Sequence, residues 1–562
     1  MKQRDVRRSL DSCYRRPMRA RDRERVLLEL QSRVVDEVAK AGRVEEALAD
    51  AVYHEGRRLK EDRSKTRDQE LAFWRDVQSE MRRASERAQQ DQLKRVVARY
   101  GNEICGQFDE RVYNSVTRAG EPVLGLLLNA VSPKKIVSEI FDERHLPRFD
   151  ASVVLQGEIP LLHKLRERGT LILVPTHVSH MDSIAVGYAL WKLGLPPFLY
   201  GAGLNLFSNP MLGFFMKNLG AYTVDRRKQD PLYKRVLKEY CTLTLENGYD
   251  NIFFPGGTRS RSGAVEAKLK LGLLGCGLPA YTHNLQANKR DKERFFIVPA
   301  TLSFQLVLEA ETLIDDFLKE QGKSRYIITD DEFSRPRRVF DFLTQLFSLD
   351  SKIFFTVGRP LDPLGNLVDD EGESLDARGR RVDPTRYLLV DGKPVIDEQR
   401  DAELTREVGE RLTEAYAKDT VIQCTHLTAH ATLNLLRRAN AGVDLVRLLR
   451  GGGRADDVPL FDLHAEVRRL LDELRGLARR GGVRLGPIAL DRDAEEVVAD
   501  GLRHFSIYHA QPAVTRKGDR ITSGDRALLF YYSNRLEGYR LERTSGLRSP
   551  LTPDHRALAK GA

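Results

Sequence analysis

Between residues 151 and 361 short apolar runs alternate with stretches of helical period: Thr170 to Val174, Pro197 to Tyr200, Ala221 to Val224, Asn251 to Phe254, Phe295 to Thr301 and Lys352 to Val357. Runs of that length, bounded by turn residues, read as buried strands. Strands joined by helix-length segments need crossover connections, which bring neighbouring strands in parallel. The region 151–361 therefore reads as an α/β domain with a central, mostly parallel sheet flanked by helices. Its surroundings have a different texture. Residues 1–150 are charged and helical, with an apolar stripe over Val26, Leu27, Leu28, Leu30, Val34, Val35 and Val38, then the polar stretch Glu55 to Gln92. Such a stretch reads as a solvated or self-associating helix. Residues 362–400 are an acidic, turn-rich insert, in which Asp391-Gly392 between β-formers predicts a hairpin turn. Residues 401–562 are mainly helical, with periods over Glu403 to Ala417, Thr425 to Arg438 and Leu463 to Arg479.

Composition narrows the class. A chain of 562 residues holds three or four domains, or one large core with additions. No apolar segment approaches the ~20 residues of a spanning helix; Phe295 to Leu308 and Val123 to Val131 come closest. The opening Met1-Lys-Gln-Arg-Asp-Val-Arg-Arg8 leads into charge, unlike a secretory signal. The five cysteines are widely spaced and odd in number, which argues against a disulfide framework or a structural zinc site and fits a reducing cytoplasm. The net charge of +10 suits nucleic acid or anionic lipid. No nucleic-acid recognition motif or aromatic-threaded basic groove is present. The expectation is a peripheral protein on the cytoplasmic face of the cell membrane, bound to its anionic surface, with no nucleic-acid partner.

The chemistry concentrates where Leu171 to Val174 ends at Pro175 and gives way to Thr-His177-Val-Ser179-His180-Met-Asp182. Helical period resumes over Ile184 to Leu190. Five helical positions advance about 500°, leaving two side chains roughly 140° out of line. His177 and Asp182 can meet only if the histidine stays on the loop and the aspartate enters in or just before the first helical turn. The carboxylate would then hold one imidazole nitrogen and leave the other as a base. That is what acyl transfer to an alcohol needs, because a hydroxyl is barely ionised at neutral pH. No Gly-x-Ser-x-Gly elbow offers a covalent nucleophile, so direct attack is expected. His177-x-x-His180-x-Asp182 does not match a His-x-His-x-Asp-His metal cluster, and no metal or other cofactor is expected. His163, His283 and His504 lack any partner pattern.

These residues resemble the first block of the glycerolipid acyltransferases, His-x4-Asp, often written His-x-x-His-Met-Asp. Gly201-Ala-Gly-Leu-Asn205-Leu-Phe and Asn218-Leu-Gly220-Ala-Tyr-Thr-Val-Asp-Arg226-Arg227 are similar to the second block. Phe253-Phe-Pro255-Gly256-Gly257-Thr258-Arg259-Ser260-Arg261-Ser262-Gly263 is similar to the third, and Ile297-Val-Pro-Ala300 to the fourth. The Arg259-Ser-Arg261-Ser-Gly263 form resembles the glycerol-3-phosphate acyltransferases within the family. The resemblance implies His177 as base and Asp182 as its orienting partner. It implies Arg226, Arg259 and Arg261 on the substrate phosphate, with Gly257 allowing close approach and Lys268 or Lys270 adding a point charge. Ser179, His180 and Thr258 would be supporting residues, and amides of the Gly256-Gly257-Thr258 turn would help the oxyanion. The fourth block would help build the acyl pocket. The segment Val421 to Leu427 would pack back on the catalytic domain, and Tyr531-Tyr532-Ser-Asn534 resembles the family's C-terminal segment. The implied reaction moves a fatty acyl group from acyl-CoA or acyl carrier protein to the sn-1 hydroxyl of glycerol 3-phosphate, giving lysophosphatidic acid. Lysophosphatidic acid or dihydroxyacetone phosphate are alternative acceptors, and an inactive lipid-binding scaffold is a further alternative. One departure stands out: the family places Glu where this chain has Gly256, so the loop is expected to lose a negative charge and gain backbone freedom.

Overall fold

The computed structural model describes residues 17–64, 66–81, 85–119, 152–204, 210–289, 294–321 and 351–541. In it every one of the apolar runs contributes a strand, and an edge strand joins them. The strands are β1 (Val153–Gly157), β2 (Thr170–Pro175), β3 (Leu199–Gly203), β4 (Ala221–Val224), β5 (Asn251–Ile252), β6 (Phe295–Ser303) and β7 (Ile353–Val357). They form one sheet in the order β1-β7-β6-β2-β5-β3-β4. The strands β6, β2, β5, β3 and β4 run parallel, while β7 lies antiparallel to β6 and carries β1 parallel to itself. Every residue of β2 and β6 is buried, which is why both read as unbroken apolar runs. Strand β1 is only partly buried and mixes polar residues, so it carries no such signal. The opening Met1 to Arg8, Cys13, Val123 to Val131 and Asn205-Leu206-Phe207 lie outside the described residues.

The amino-terminal helices are α1 (Ala20–Lys40), α2 (Val44–Glu61), α3 (Arg67–Met81), α4 (Glu86–Ile104) and α5 (Glu110–Ala119). The stripe of α1 buries Val26, Leu30, Val34, Val35 and Val38, whereas Leu28 faces solvent. The polar stretch Glu55 to Gln92 is not one solvated helix. It comprises the end of α2, all of α3 and the start of α4, folded so that Trp74 and Val77 are buried. Its charges pair internally: the nearly buried Arg58 contacts Glu55, Asp62 and Glu70. A cation is tolerated there only because several acceptors replace its water. The core beneath these helices is shared with the sheet layer through Leu199, Tyr222, Tyr233, Val236 and Tyr240.

Helices α6 (Ile159–Arg168), α7 (Met181–Lys192), α8 (Pro210–Asn218), α9 (Pro231–Glu246), α10 (Gly277–Gln286) and α11 (Ala310–Gln321) connect the strands. The insert holds small antiparallel pairings. In its hairpin, Leu389–Val390 pairs with Lys393–Pro394 around Asp391 at φ 50° and Gly392 at φ 77°, the positive-φ pair of the expected tight turn. Beyond it lie α12 (Glu398–Asp419), α13 (Cys424–Ala439), α14 (Leu460–Arg479), α15 (Ala494–Phe505) and α16 (Arg526–Ser533). Helix α13 is buried almost all round, and its core is continuous with that of the sheet. Polar anchors complete the join. Tyr416 Oη donates to the Val174 carbonyl at 2.9 Å, Thr425 Oγ1 to that of Gln305 at 2.6 Å, and Tyr532 Oη accepts from the Val307 N–H at 3.1 Å.

Candidate active site

In an open α/β sheet the carboxyl ends of the parallel strands frame the crevice where ligands bind. Here the loops after β2, β4, β5 and β6 meet at that edge. The loop after β2 carries His177, and α7 begins at Met181, so Asp182 sits in its first turn. The two residues meet as the angular argument requires: His177 Nδ1 lies 2.8 Å from Asp182 Oδ2. Asp182 is fully buried, and the same oxygen accepts the main-chain N–H groups of Val178 at 2.6 Å and Ser179 at 2.9 Å. With Asp182 accepting, the proton belongs on Nδ1, and Nε2 is the nitrogen left for a substrate proton. The His177 ring rests on Phe254, centroids 4.6 Å apart, and its carbonyl accepts the Ser260 N–H at 2.8 Å. The first and third blocks, distant in sequence, are thereby one loop cluster.

The third-block loop follows β5. Gly257 takes φ 68°, and an added Cβ there would run into the stem of Lys270. Thr258, Lys268 and the rest of Lys270 are exposed on this loop. Arg259 points its guanidinium to the buried Glu309, 3.6 Å away. Arg261 pairs instead with the exposed Glu320 at 3.0 Å, away from the dyad's partners. Arg226, on the loop after β4, lies close enough to Arg259 that burial, then that like charge, lower its pKa. Arg226 is nevertheless exposed and pairs with no carboxylate among the described residues, whereas Arg259 faces Glu309. Ser260 and Ser262 bond within the loop, Ser260 Oγ to the Ala264 carbonyl at 2.7 Å and Ser262 Oγ from the Ala264 N–H at 3.3 Å.

The sequence reading of Gly256 needs correction. The backbone freedom is used at Gly257 and Gly263, both at positive φ, and not at Gly256. A carboxyl group nevertheless stands at that place: a Cβ built on Gly256 would lie 2.7 Å from Oε2 of Glu266, whose carboxyl also accepts the His177 N–H. Its pKa is pushed up to about 8 by burial and then by Asp182, with the His177 N–H and Arg535 acting the other way.

Glu309, just beyond β6, was invisible in the sequence. It is buried, accepts from Ser179 Oγ at 2.8 Å and from the His180 N–H at 3.0 Å, and faces Arg259. Ser179 and His180 thus serve the turn between dyad and helix. The His180 ring stands 6.5 Å from that of His177, and Met181 is core. A single Glu after a strand, with no partner motif, offers no pattern to detect. The amino-terminal helices also reach the site. Lys228, two residues past Arg226, is buried between Glu103 at 2.7 Å and Glu55 at 3.5 Å, and Tyr100 Oη donates to Asp230 at 2.6 Å. His163, His283 and His504 stand apart; His283 bonds Glu246 at 2.6 Å and His504 bonds Ser351 at 2.7 Å.

A family model described as Acyltransferase matches residues 158–286. Curated relatives include the glycerol-3-phosphate acyltransferase of Pseudomonas fluorescens (strain SBW25), 26% identical over 62% of this chain and 35% of its own length. That of Pseudomonas syringae pv. syringae (strain B728a) is 26% identical over 62% and 36%, and that of Aeromonas hydrophila subsp. hydrophila 30% identical over 38% and 23%. The chain spans about a third of the length of these Pseudomonas relatives. The family match covers the strand ends that carry His177, Asp182 and the three arginines, so it is over residues 158–286 that the chain is similar to the Acyltransferase family.

Proposed function

We propose that the protein transfers a fatty acyl group from a thioester, acyl-CoA or acyl carrier protein, to the sn-1 hydroxyl of glycerol 3-phosphate, giving lysophosphatidic acid for phospholipid synthesis. The observation that carries this reading is the pairing of a His177–Asp182 dyad, 2.8 Å apart with its aspartate buried, with Arg226 and Arg259 on loops at the same sheet edge. The arginines hold the acceptor's phosphate, and the dyad takes the proton of its hydroxyl. As that oxygen attacks the thioester carbonyl, Nε2 of His177 accepts the proton and Asp182 stabilises the imidazolium. The tetrahedral intermediate collapses with expulsion of the thiolate, which recovers the proton from His177. Amides of the Gly256-Gly257-Thr258 turn are the donors nearest in sequence for the oxyanion. No helix among the described residues is long and apolar enough to cross a membrane. We place the enzyme peripherally at the cytoplasmic membrane face, where its net charge of +10 favours anionic lipid.

The test is a radiolabelled transfer assay with palmitoyl-CoA and palmitoyl carrier protein as donors and glycerol 3-phosphate, dihydroxyacetone phosphate and lysophosphatidic acid as separate acceptors. Lysophosphatidic acid from glycerol 3-phosphate, lost in His177→Ala, supports the reading. Turnover confined to another acceptor replaces the substrate, and product retained in His177→Ala removes the mechanism.

A further inference from the structure

His177 is held at four points. Asp182 takes its Nδ1, Phe254 its ring face, Ser260 its carbonyl, and Glu266 its main-chain N–H. The last contact is unlike the others, because Glu266 comes from the irregular stretch beyond the third-block loop and drives a carboxyl group into the crevice wall. Its Oε2 is sealed from solvent and has no hydrogen-bond partner among the described residues. The space it enters belongs sterically to residue 256, since a Cβ there would lie 2.7 Å from Oε2 and 2.8 Å from Cδ. Gly256 and Glu266 are therefore complementary: a side chain at 256 would displace the Glu266 carboxyl from the position it holds.

We propose that Glu266 is a positioning residue for His177, its carboxyl group occupying the volume vacated at Gly256 and fixing the histidine's main chain so that Nε2 faces the acceptor hydroxyl. This rests on the acyl-transfer reading above and adds a residue to it. A catalytic group must be held to about half an ångström, and a displacement near 1 Å costs up to about a hundredfold in rate. Glu266 acts through the backbone of His177, so losing it lowers turnover and leaves phosphate binding to Arg226 and Arg259.

Four variants test this: Glu266→Gln, which keeps an acceptor oxygen; Glu266→Leu, which fills the volume without one; Gly256→Glu; and the double variant Gly256→Glu/Glu266→Ala. For each, kcat and the acceptor KM are measured, with the His177 ring resonance in protein carbon-13 labelled at histidine Cε1. Glu266→Gln should stay within about threefold of wild type. Glu266→Leu should lose about tenfold to a hundredfold in kcat, with the acceptor KM within about twofold and the ring resonance displaced. Gly256→Glu should fall likewise, and the double variant should recover at least tenfold over it. That recovery keeps the test decisive even if Glu266→Leu fails to fold. Wild-type turnover in Glu266→Leu, or a double variant no better than Gly256→Glu alone, overturns the proposal. If the wild-type chain does not acylate glycerol 3-phosphate, the resonance decides. Displacement in Glu266→Leu and restoration in Glu266→Gln uphold the positioning role and refute only the acceptor, whereas an unmoved resonance refutes the role.

Discussion

His177 is the residue whose removal has the clearest expected effect. A positioned general base is worth about 10²- to 10⁴-fold, so His177→Ala should lower kcat into that range while its thermal midpoint stays near wild type. The arginines should divide. Arg259 sits in the crevice on Glu309, so Arg259→Ala should raise the glycerol 3-phosphate KM at least about tenfold with little change in the donor KM. Arg261 is committed to an exposed partner, and an exposed pair contributes little, so Arg261→Ala should stay within about twofold; equal losses in the two variants would remove the division. Glu266 makes a pH prediction. Its pKa is raised from an ordinary 4.5 to about 8, so the folded state holds the proton more tightly than the unfolded chain. Stability from this group is full below about pH 4.5 and is lost as pH rises to about 8, each pKa unit being worth ~1.4 kcal/mol. Denaturant titrations should show Glu266→Gln gaining on wild type across that window, and parallel pH profiles would mean the carboxyl does not hold its proton.

Among the elements, α16 and the residue that follows it pack directly on the third-block loop. Gly263, at φ 79°, faces the Tyr531 carbonyl so closely that an added Cβ would run into it, and Asn534 Nδ2 donates to the Ser262 carbonyl at 2.8 Å. Gly263→Ala cannot be absorbed, because backbone stands on both sides. It should cost about 1–3 kcal/mol through the positive φ alone and, by lifting α16 off the loop, lower kcat/KM for glycerol 3-phosphate several-fold. Unchanged kinetics would show that the third-block loop holds its shape without the carboxyl-terminal helix. The same packing explains why Tyr531-Tyr532-Ser-Asn534 could be recognised in the sequence: Tyr531, Tyr532 and Asn534 all touch the loop or the β6 exit.

For the molecule as a whole, the amino-terminal helices brace the loop that carries Arg226. Tyr100 Oη caps Asp230 at the start of α9, and Lys228 lies over the Tyr100 ring, 4.8 Å from its centroid, between Glu55 and Glu103. Tyr100→Phe leaves buried Asp230 one donor short, a loss of about 1–3 kcal/mol in chemical denaturation. It should also raise the acceptor KM more than the donor KM, since the loop that leads into Asp230 carries Arg226. Unaltered acceptor binding would confine these helices to a structural part.

The strands, the expected hairpin turn and the dyad were legible because each is written in local chemistry: apolar runs for buried strands, Asp391-Gly392 for positive φ, and a His-to-Asp spacing that only a loop-to-helix junction can close. Strand β1 escaped because an edge strand is only half buried, and the polar stretch Glu55 to Gln92 misled because folding turns it back on itself, burying Trp74 and Val77 and bringing Glu70 to Arg58. Glu309 and Glu266 lie on the same footing. A buried carboxylate is specified by the donors that surround it, here Ser179, His180 and Arg259 for the one and the His177 N–H for the other, and those arrive from distant segments. Sequence alone determined the α/β layer and the contact between His177 and Asp182. Only tertiary packing decided that Arg259 and not Arg261 faces the crevice, and that a carboxyl from Glu266 fills the place Gly256 leaves open, because both depend on which side chains share a volume and not on which share a motif.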